Sequence, residues 1–299
     1  MCGSLWHGGK KLPVSALVAV KNEEVNIRRC LASLAPAQRV YVVDSHSDDA
    51  TPNIARECGA EVLQFDYAGG YPKKRQWALD TLDIPTKWVL LIDADETVPS
   101  ALWEEICGAV SQPEPAAAYF VTKAFHFLGH GFRFGGFSHD AVLLFQRGAA
   151  RFERLGEKLP CQQDMEVHER LIVEGAVSRL KTPLIHEDFK GLAAYLDRHN
   201  KYSTWEATLR YHFLKTGHWG TDSIQARAFG DGQERRRFLK TLAVRVPFEP
   251  QAWFFYHYVL RLGFLEGRRG LIASQIRRSY ICQVRAKLYE LQLLDQPGR

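Results

Sequence analysis

The chain has 299 residues, 46% hydrophobic and 24% charged, a composition that excludes a wholly disordered protein. Its 39 Lys and Arg against 34 Asp and Glu leave a formal charge of only +5, too mild to mark a nucleic-acid binder. That charge is unevenly placed: residues 231–299 hold 13 basic and 6 acidic side chains, a net of +7, whereas the first 230 residues sum to −2. Six scattered cysteines with no Cys-x-x-Cys spacing suit a reduced compartment rather than a disulfide framework. There is no signal-peptide-like core near residue 1 and no apolar run of about 18 residues. The expectation is a cytoplasmic protein, with its basic end available to the cytoplasmic face of the inner membrane.

Pro13–Val20 is a short apolar run of the kind expected for a buried parallel strand, followed by Lys21-Asn22-Glu23-Glu24 and a helical pattern through Val25, Ile27, Leu31 and Leu34. A second strand covers Arg39–Val43 and ends in Asp44. Thr51-Pro52 opens a helix to about Cys58. Glu61–Phe65 forms a third strand, Lys73–Leu82 a helix, and Trp88–Ile92 a fourth strand that runs into Asp93-Ala94-Asp95-Glu96. Strand and helix alternating in this way predict an α/β fold with a mostly parallel central sheet. Ligands of such sheets bind beyond the carboxyl ends of the strands, where Asn22, Asp44 and Asp93 all fall. No Gly-x-Gly-x-x-Gly or Gly-x-x-x-x-Gly-Lys-Ser/Thr loop follows the first strand, which excludes the common dinucleotide and P-loop sites.

A second block near 119–190 carries Gly129, Gly131, Gly135 and Gly136 in an aromatic stretch, with strands expected at Ala141–Phe145 and Leu180–Ile185 and a helix over Gly191–Tyr211. The segment from Phe238 onward combines Trp253-Phe254-Phe255-Tyr256-His257-Tyr258 with Arg268, Arg269, Arg277, Arg278 and Arg285. The division that follows is a tail at 1–12, a main domain at 13–230 and a basic, aromatic-rich helical extension at 231–299. Interleaved basic and aromatic residues suit an anionic membrane surface, and equally a helix closing the site.

Asp93 and Asp95 are spaced so that two hard carboxylates face the same way at a strand end, a pattern suited to Mg²⁺ or Mn²⁺ beside a substrate phosphate. Glu96 can orient the loop. Asp44 can accept a hydrogen bond from a nucleobase, while Lys73, Lys74 and Arg75 offer phosphate or base contacts. Glu169, in Val167-His168-Glu169-Arg170, is a candidate general base. His186 is placed to touch metal or diphosphate, and Asp140 to position a sugar hydroxyl.

In their order these pieces resemble the family-two inverting glycosyltransferases of the GT-A class. The likeness is carried by Val18-Ala19-Val20-Lys21-Asn22-Glu23, Val42 to Thr51, Lys74-Arg75-Gln76-Trp77-Ala78-Leu79 and Leu91-Ile92-Asp93-Ala94-Asp95-Glu96. Phe127-Leu128-Gly129, Gly135-Gly136, Val167-His168-Glu169, Pro183 to His186 and Gly263 to Gly270 are similar to the bacterial lipopolysaccharide-core β-1,4-glucosyltransferase group. The resemblance implies a GT-A nucleotide-sugar-binding fold whose donor site uses Val20, Asn22, Glu23, Asp44, Lys74, Arg75, Asp93 and Asp140. It also implies a divalent metal near Asp93, Asp95 and His186, and Glu169 as base. The implied reaction moves a sugar from a nucleoside-diphosphate donor, foremost a UDP-sugar, to a cell-envelope glycan or lipid-linked acceptor. Two other readings compete: a catalytically silent glycan- or membrane-binding protein of the same fold, and a nucleotidyltransferase. The latter lacks its basic glycine-rich loop.

Overall fold

The computed structural model describes residues 11–155, 169–230 and 232–295. The apolar run at the start forms β1 (Leu12–Val20), which is buried on both faces because its Val, Leu and Ala side chains leave no polar side to expose. After α1 (Glu24–Ser33) the chain returns as β2 (Ala37–Asp44), then α2 (Thr51–Glu57), β3 (Glu61–Gln64), α3 (Lys74–Thr81) and β4 (Trp88–Asp93). These four strands are parallel in the order β3-β2-β1-β4, as the alternation requires. The register sets Val20 opposite Asp44 and Ala19 opposite Asp93, so three strand ends open on one edge.

Beyond β4 come the short β5 (Glu96–Thr97), α4 (Ser100–Val110), β6 (Ala118–Phe125) and β7 (His139–Gln146). β7 pairs antiparallel with both β4 and β6. The small β8 (Ala150–Phe152) and β9 (Leu171–Val173) form their own hairpin, and β10 (Val177–Arg179) and β11 (Leu184–His186) both pair parallel with β6. β5 closes the edge against β11, giving a nine-stranded sheet in which parallel pairs predominate. The strand expected from Leu180 begins only at Leu184; residue 180 instead donates its amide to the Phe120 carbonyl at 2.9 Å. The core fills around Trp88, Trp103 and Phe145, all fully buried.

The rest is helical: α5 (Gly191–Thr216), α6 (Gly232–Ala243), α7 (Glu249–Phe255), a π-helical turn at Tyr256–Leu260, a 3₁₀ turn at Gly263–Glu266 and α8 (Gly267–Leu294). α5 runs five residues past the expected end and stops where Gly217 adopts φ +76°. α5 and α8 pack through Ala207, Tyr280, Ile281, Val284 and Leu288. α5, α7 and α8 are also joined by charge. Arg210 is buried between Glu206 and Glu249, with its guanidinium 2.7–3.0 Å from carboxylate oxygens of both, and Tyr280 Oη donates to Glu206 Oε2 at 2.7 Å. Arg210→Met should cost about 3–5 kcal/mol in urea denaturation, because it strands two buried carboxylates. A loss below about 1 kcal/mol would mean that water already reaches this cluster.

The glycine-rich loop after β6 is bound to the C-terminal turns. Gly135 donates its N–H to the Arg261 carbonyl at 2.7 Å, and Glu266 accepts the amides of Arg133 and Phe134 at 2.7 Å each. Gly135 and Gly136 sit at φ +85° and +65°, a conformation that other residues adopt only with strain. Gly270 lies so close to the Gly263 carbonyl that a Cβ there would come within 1.9 Å of its oxygen. The two segments need glycine for different reasons: backbone conformation at Gly135 and Gly136, and close backbone approach at Gly270.

Candidate active site

A cavity of about 1310 Å³ opens at the carboxyl edge of β1 and β4 and is closed on its far side by α5, α7 and α8. Val20, Glu23, Lys74, Arg75, Asp93, Asp95, Glu169 and His186 all line it. Of the expected site residues, eight are therefore brought together although they lie far apart in the chain.

The acid cluster at the end of β4 is its centre. Asp93 is gripped by Arg75 at Oδ1 and by Lys123 at Oδ2, the latter at 2.8 Å. Burial would raise its pKa, but these two cations hold the carboxyl well below the usual range. Lys123 Nζ also contacts Glu96 Oε1 at 2.5 Å, and the fully buried Glu96 accepts the Asp93 amide at 2.9 Å. Glu96 thus fixes the turn that presents both aspartates. Asp95 differs: burial pushes its pKa up, and neighbouring Asp93 and Glu96 push the same way against His186. His186 is raised to about 9, because Asp95 and Glu96 outweigh the burial that opposes its charge.

Among the described residues no three His, Cys, Asp or Glu side chains converge as a complete metal cage. Asp95 Oδ2 and His186 Nε2 are nevertheless 3.8 Å apart, too far for a hydrogen bond. Magnesium and manganese commonly take only one or two protein donors, the others coming from substrate phosphate and water. Asp95, whose carboxyl is only partly compensated, fits that use, and His186 would fit it once a metal displaced the proton that its raised pKa retains at neutral pH. Asp93, already held by two cations, fits it less well as a direct ligand than as the anchor of the cluster.

Across the cavity Glu169 is buried and accepts from Lys73 Nζ at 2.7 Å, while the same ammonium lies 4.4 Å above the Trp205 ring of α5. Val167 and His168 of its motif lie outside the described residues. Lys73 is therefore the counter-ion of Glu169. Lys74, though lining the cavity, directs its ammonium to the Val20 carbonyl at 2.7 Å. Glu23 is held by Lys190 at 2.5 Å and by Asn26 at 2.9 Å.

Three expected contacts fall outside the cavity wall. Asp44, 1% exposed, accepts from Ser47 Oγ at 2.5 Å, from the Ser47 amide and from Gln64 Nε2 at 3.1 Å, so it closes the loop after β2. Asn22, at φ +55°, joins the two strand-end loops: its amide donates to Ser47 Oγ and its Oδ1 accepts the Asp48 amide. Asp140 points to the other face of β7, against Arg179 at 2.8 Å and Thr122 Oγ1 at 2.7 Å. One-residue alternation along β7 puts His139, not Asp140, on the cavity side. Lys123 escaped the sequence reading entirely; its only signal was a lysine inside the apolar run Tyr119 to Phe125.

A parallel half-sheet, an acid pair at the end of β4 and a cleft over the strand ends give a GT-A-like α/β fold. Residues 15–140 match the family described as Glycosyl transferase family 2; the chain carries a family 2 glycosyltransferase domain and is a glycosyltransferase. It is similar to the lipopolysaccharide core biosynthesis glycosyltransferase LpsC of Rhizobium meliloti, with 26% identity over 95% of this chain and 94% of that protein. Among solved structures it is similar to the mannosyltransferase PcManGT from Pyrobaculum calidifontis, determined in complex with GDP-Man and Mn²⁺ (13% identity, 94% of this chain and 88% of that one, TM-score 0.49). It also matches glucosyl-3-phosphoglycerate synthase from Mycobacterium tuberculosis over 40% of its own residues, at 22% identity and a TM-score of 0.31, and spans under half of that chain.

Proposed function

We propose that this glycosyltransferase is divalent-metal-dependent and inverting, and that it moves a sugar from a nucleoside-diphosphate donor, a UDP-sugar, to a cell-envelope glycan or lipid-linked acceptor. The observation that carries the reading is the pairing, within one cavity, of the Asp93-Ala94-Asp95 turn with the buried carboxylate Glu169. Similarity to a lipopolysaccharide-core enzyme over nearly the whole chain supports the choice of acceptor.

Asp95 and His186 would hold the metal, with donor diphosphate oxygens completing its shell. When bound, the metal supplies Lewis-acid neutralisation of charge growing on the leaving diphosphate. Arg75, which lines the cavity beside Asp93, would add positive charge towards a bound diphosphate. Glu169 takes the proton of the acceptor hydroxyl as that oxygen attacks the anomeric carbon. The new carbon–oxygen bond forms as the bond to the diphosphate breaks, the nucleoside diphosphate leaves with the electron pair, and a single displacement inverts the anomeric centre. Lys73 orients the Glu169 carboxylate before the acceptor arrives. Screening nucleoside-diphosphate sugars for binding and hydrolysis with Mg²⁺ and Mn²⁺ tests the reading. Failure to bind any of them with either metal would refute it.

Peripheral membrane contact belongs to the same proposal, and its support lies in residues other than the aromatic run as a whole. Trp253 and His257 turn into the cavity, whereas Phe248, Phe255, Leu260, Phe264 and Leu265 stand 45–70% exposed, with Arg245, Arg261, Arg268 and Arg269 exposed among them. Exposed apolar side chains and arginines in one segment of the chain suit an anionic leaflet, which buries the former and pairs the latter. No helix among the described residues is long and apolar enough to cross a membrane. Leu260→Asp combined with Phe264→Asp should weaken co-sedimentation with phosphatidylglycerol-containing vesicles by at least about tenfold, since each side chain contributes about 1.5–3 kcal/mol on burial. Unchanged co-sedimentation would remove this surface from the proposal.

A further inference from the structure

We propose that the helical wall of the cavity is an acceptor subsite for an anionic sugar, with Arg277 of α8 as its anion contact. This rests on the glycosyl-transfer reading and names the chemical class of its acceptor. Among the other cations that line the cavity, Arg75 and Lys123 are committed to Asp93, Lys190 to Glu23, Arg198 to Asp188, Arg210 to Glu206 and Glu249, and Arg237 to Glu153, while Lys21 and Lys201 are exposed to solvent. Arg277 lines the same cavity and has neither a hydrogen bond nor an ion pair to any described residue. Its guanidinium lies 5.2 Å from the ring centres of both Trp253 and Tyr280. The acids that face those two rings, Glu249 and Glu206, are both held by Arg210. A guanidinium fixed on an aromatic floor, with its fork of donors unused, is ready for a carboxylate or phosphate.

A second group on this wall is also unspent. His257 is buried, stacked on Phe137 at 4.6 Å and on Trp253 at 5.4 Å, and donates Nδ1–H to the Gly135 carbonyl at 2.6 Å. Its Nε2 is buried with no hydrogen-bond partner. Burial holds the ring neutral, with its pKa lowered to about 4, so Nε2 is a lone-pair acceptor. An unused acceptor and an unused cation beside aromatic faces match a ligand with hydroxyl donors, an acidic group and an apolar ring face, which is a sugar acid or a sugar phosphate. The subsite adjoins the reacting centre. Arg277, His257, Asp95, His186 and Glu169 all line the one cavity.

The test uses the full chain with Mn²⁺ and UDP, titrated by ligand-observed NMR with glucuronic acid, glucose 6-phosphate, glucose and inorganic phosphate. At least one of the two acidic sugars should bind about tenfold or more tighter than glucose and than inorganic phosphate, a factor typical of one charge-assisted hydrogen-bonded contact. Comparing the two acidic sugars distinguishes a carboxylate from a phosphate acceptor. Arg277→Gln should abolish the preference while leaving UDP affinity within about twofold, and Arg277→Lys, which keeps the charge, should restore part of it. A wild-type protein that binds glucose or inorganic phosphate as well as both acids overturns the subsite, as does a Gln variant with the preference intact or a Lys variant as indifferent as the Gln variant. Equal weakening of UDP binding in Arg277→Gln would assign the arginine to the donor and also overturn it. A protein that discriminates the acidic sugars but binds no nucleotide sugar would sink the glycosyl-transfer reading and uphold the anionic-sugar site without its acceptor role.

Discussion

Glu169→Gln is expected to lower donor-sugar turnover by about 10²–10⁴-fold, the range associated with loss of a positioned general base, while nucleotide-sugar affinity changes little. Water can serve as the acceptor in this assay, so the measurement does not wait for the natural substrate. The amide is the informative replacement because its oxygen still accepts from Lys73, whose ammonium is 2.7 Å from Glu169 and nearly buried. Glu169→Ala would instead strand that ammonium at a cost of about 3–5 kcal/mol, and lost activity would then be indistinguishable from lost folding. A folded Gln variant that turns over at the wild-type rate would move the base elsewhere.

The second large effect is expected at Asp95. Asp95→Asn should weaken Mn²⁺ binding, measured by electron paramagnetic resonance in the presence of UDP, by at least about a hundredfold, since altering groups that merely support a metal ligand already costs 10–100-fold. Stability of the metal-free protein should move in the opposite direction or not at all. Asp95 is a buried carboxylate pushed up by burial and by Asp93 and Glu96, so neutralising it relieves repulsion inside the cluster. Asp93→Asn should behave differently, because Arg75 and Lys123 would lose their shared anion and the turn itself would loosen. An Asp95 variant with an unchanged metal titration would remove that residue from the metal site.

What the sequence determined was local. Apolar runs too short for helices and too evenly apolar for half-exposed strands required buried parallel strands at β1, β2 and β4, and polar residues directly after them had to collect at one sheet edge. Asp93 and Asp95 were legible for that reason, as was the helical character of the C-terminal end. Period and punctuation are properties of neighbouring residues, and these decisions depended on nothing else.

Partners across the fold were decided by tertiary structure. Lys123 reaches Asp93 and Glu96 because β11 pairs with β6 on one side and with β5 on the other, which brings the turn after β4 back to β6, and nothing local to the lysine encodes that neighbour. Asp140 faces away from the cavity because a strand reverses its side chains at every residue, so a shift of one position exchanges the two faces. Asp44 lies at the expected strand end, yet its carboxylate closes a loop, since Ser47 and Gln64 come within reach once β2 and β3 pair. The basic tail divides in the same way. Arg277 and Trp253 turn inward, whereas Phe264, Leu265 and Arg268 face out, because the packing of α7 and α8 against α5 selects which side of each helix meets the cavity. A charge count can locate cations in the chain; only the packed helices determine which acids they meet, and therefore which remain available to a ligand.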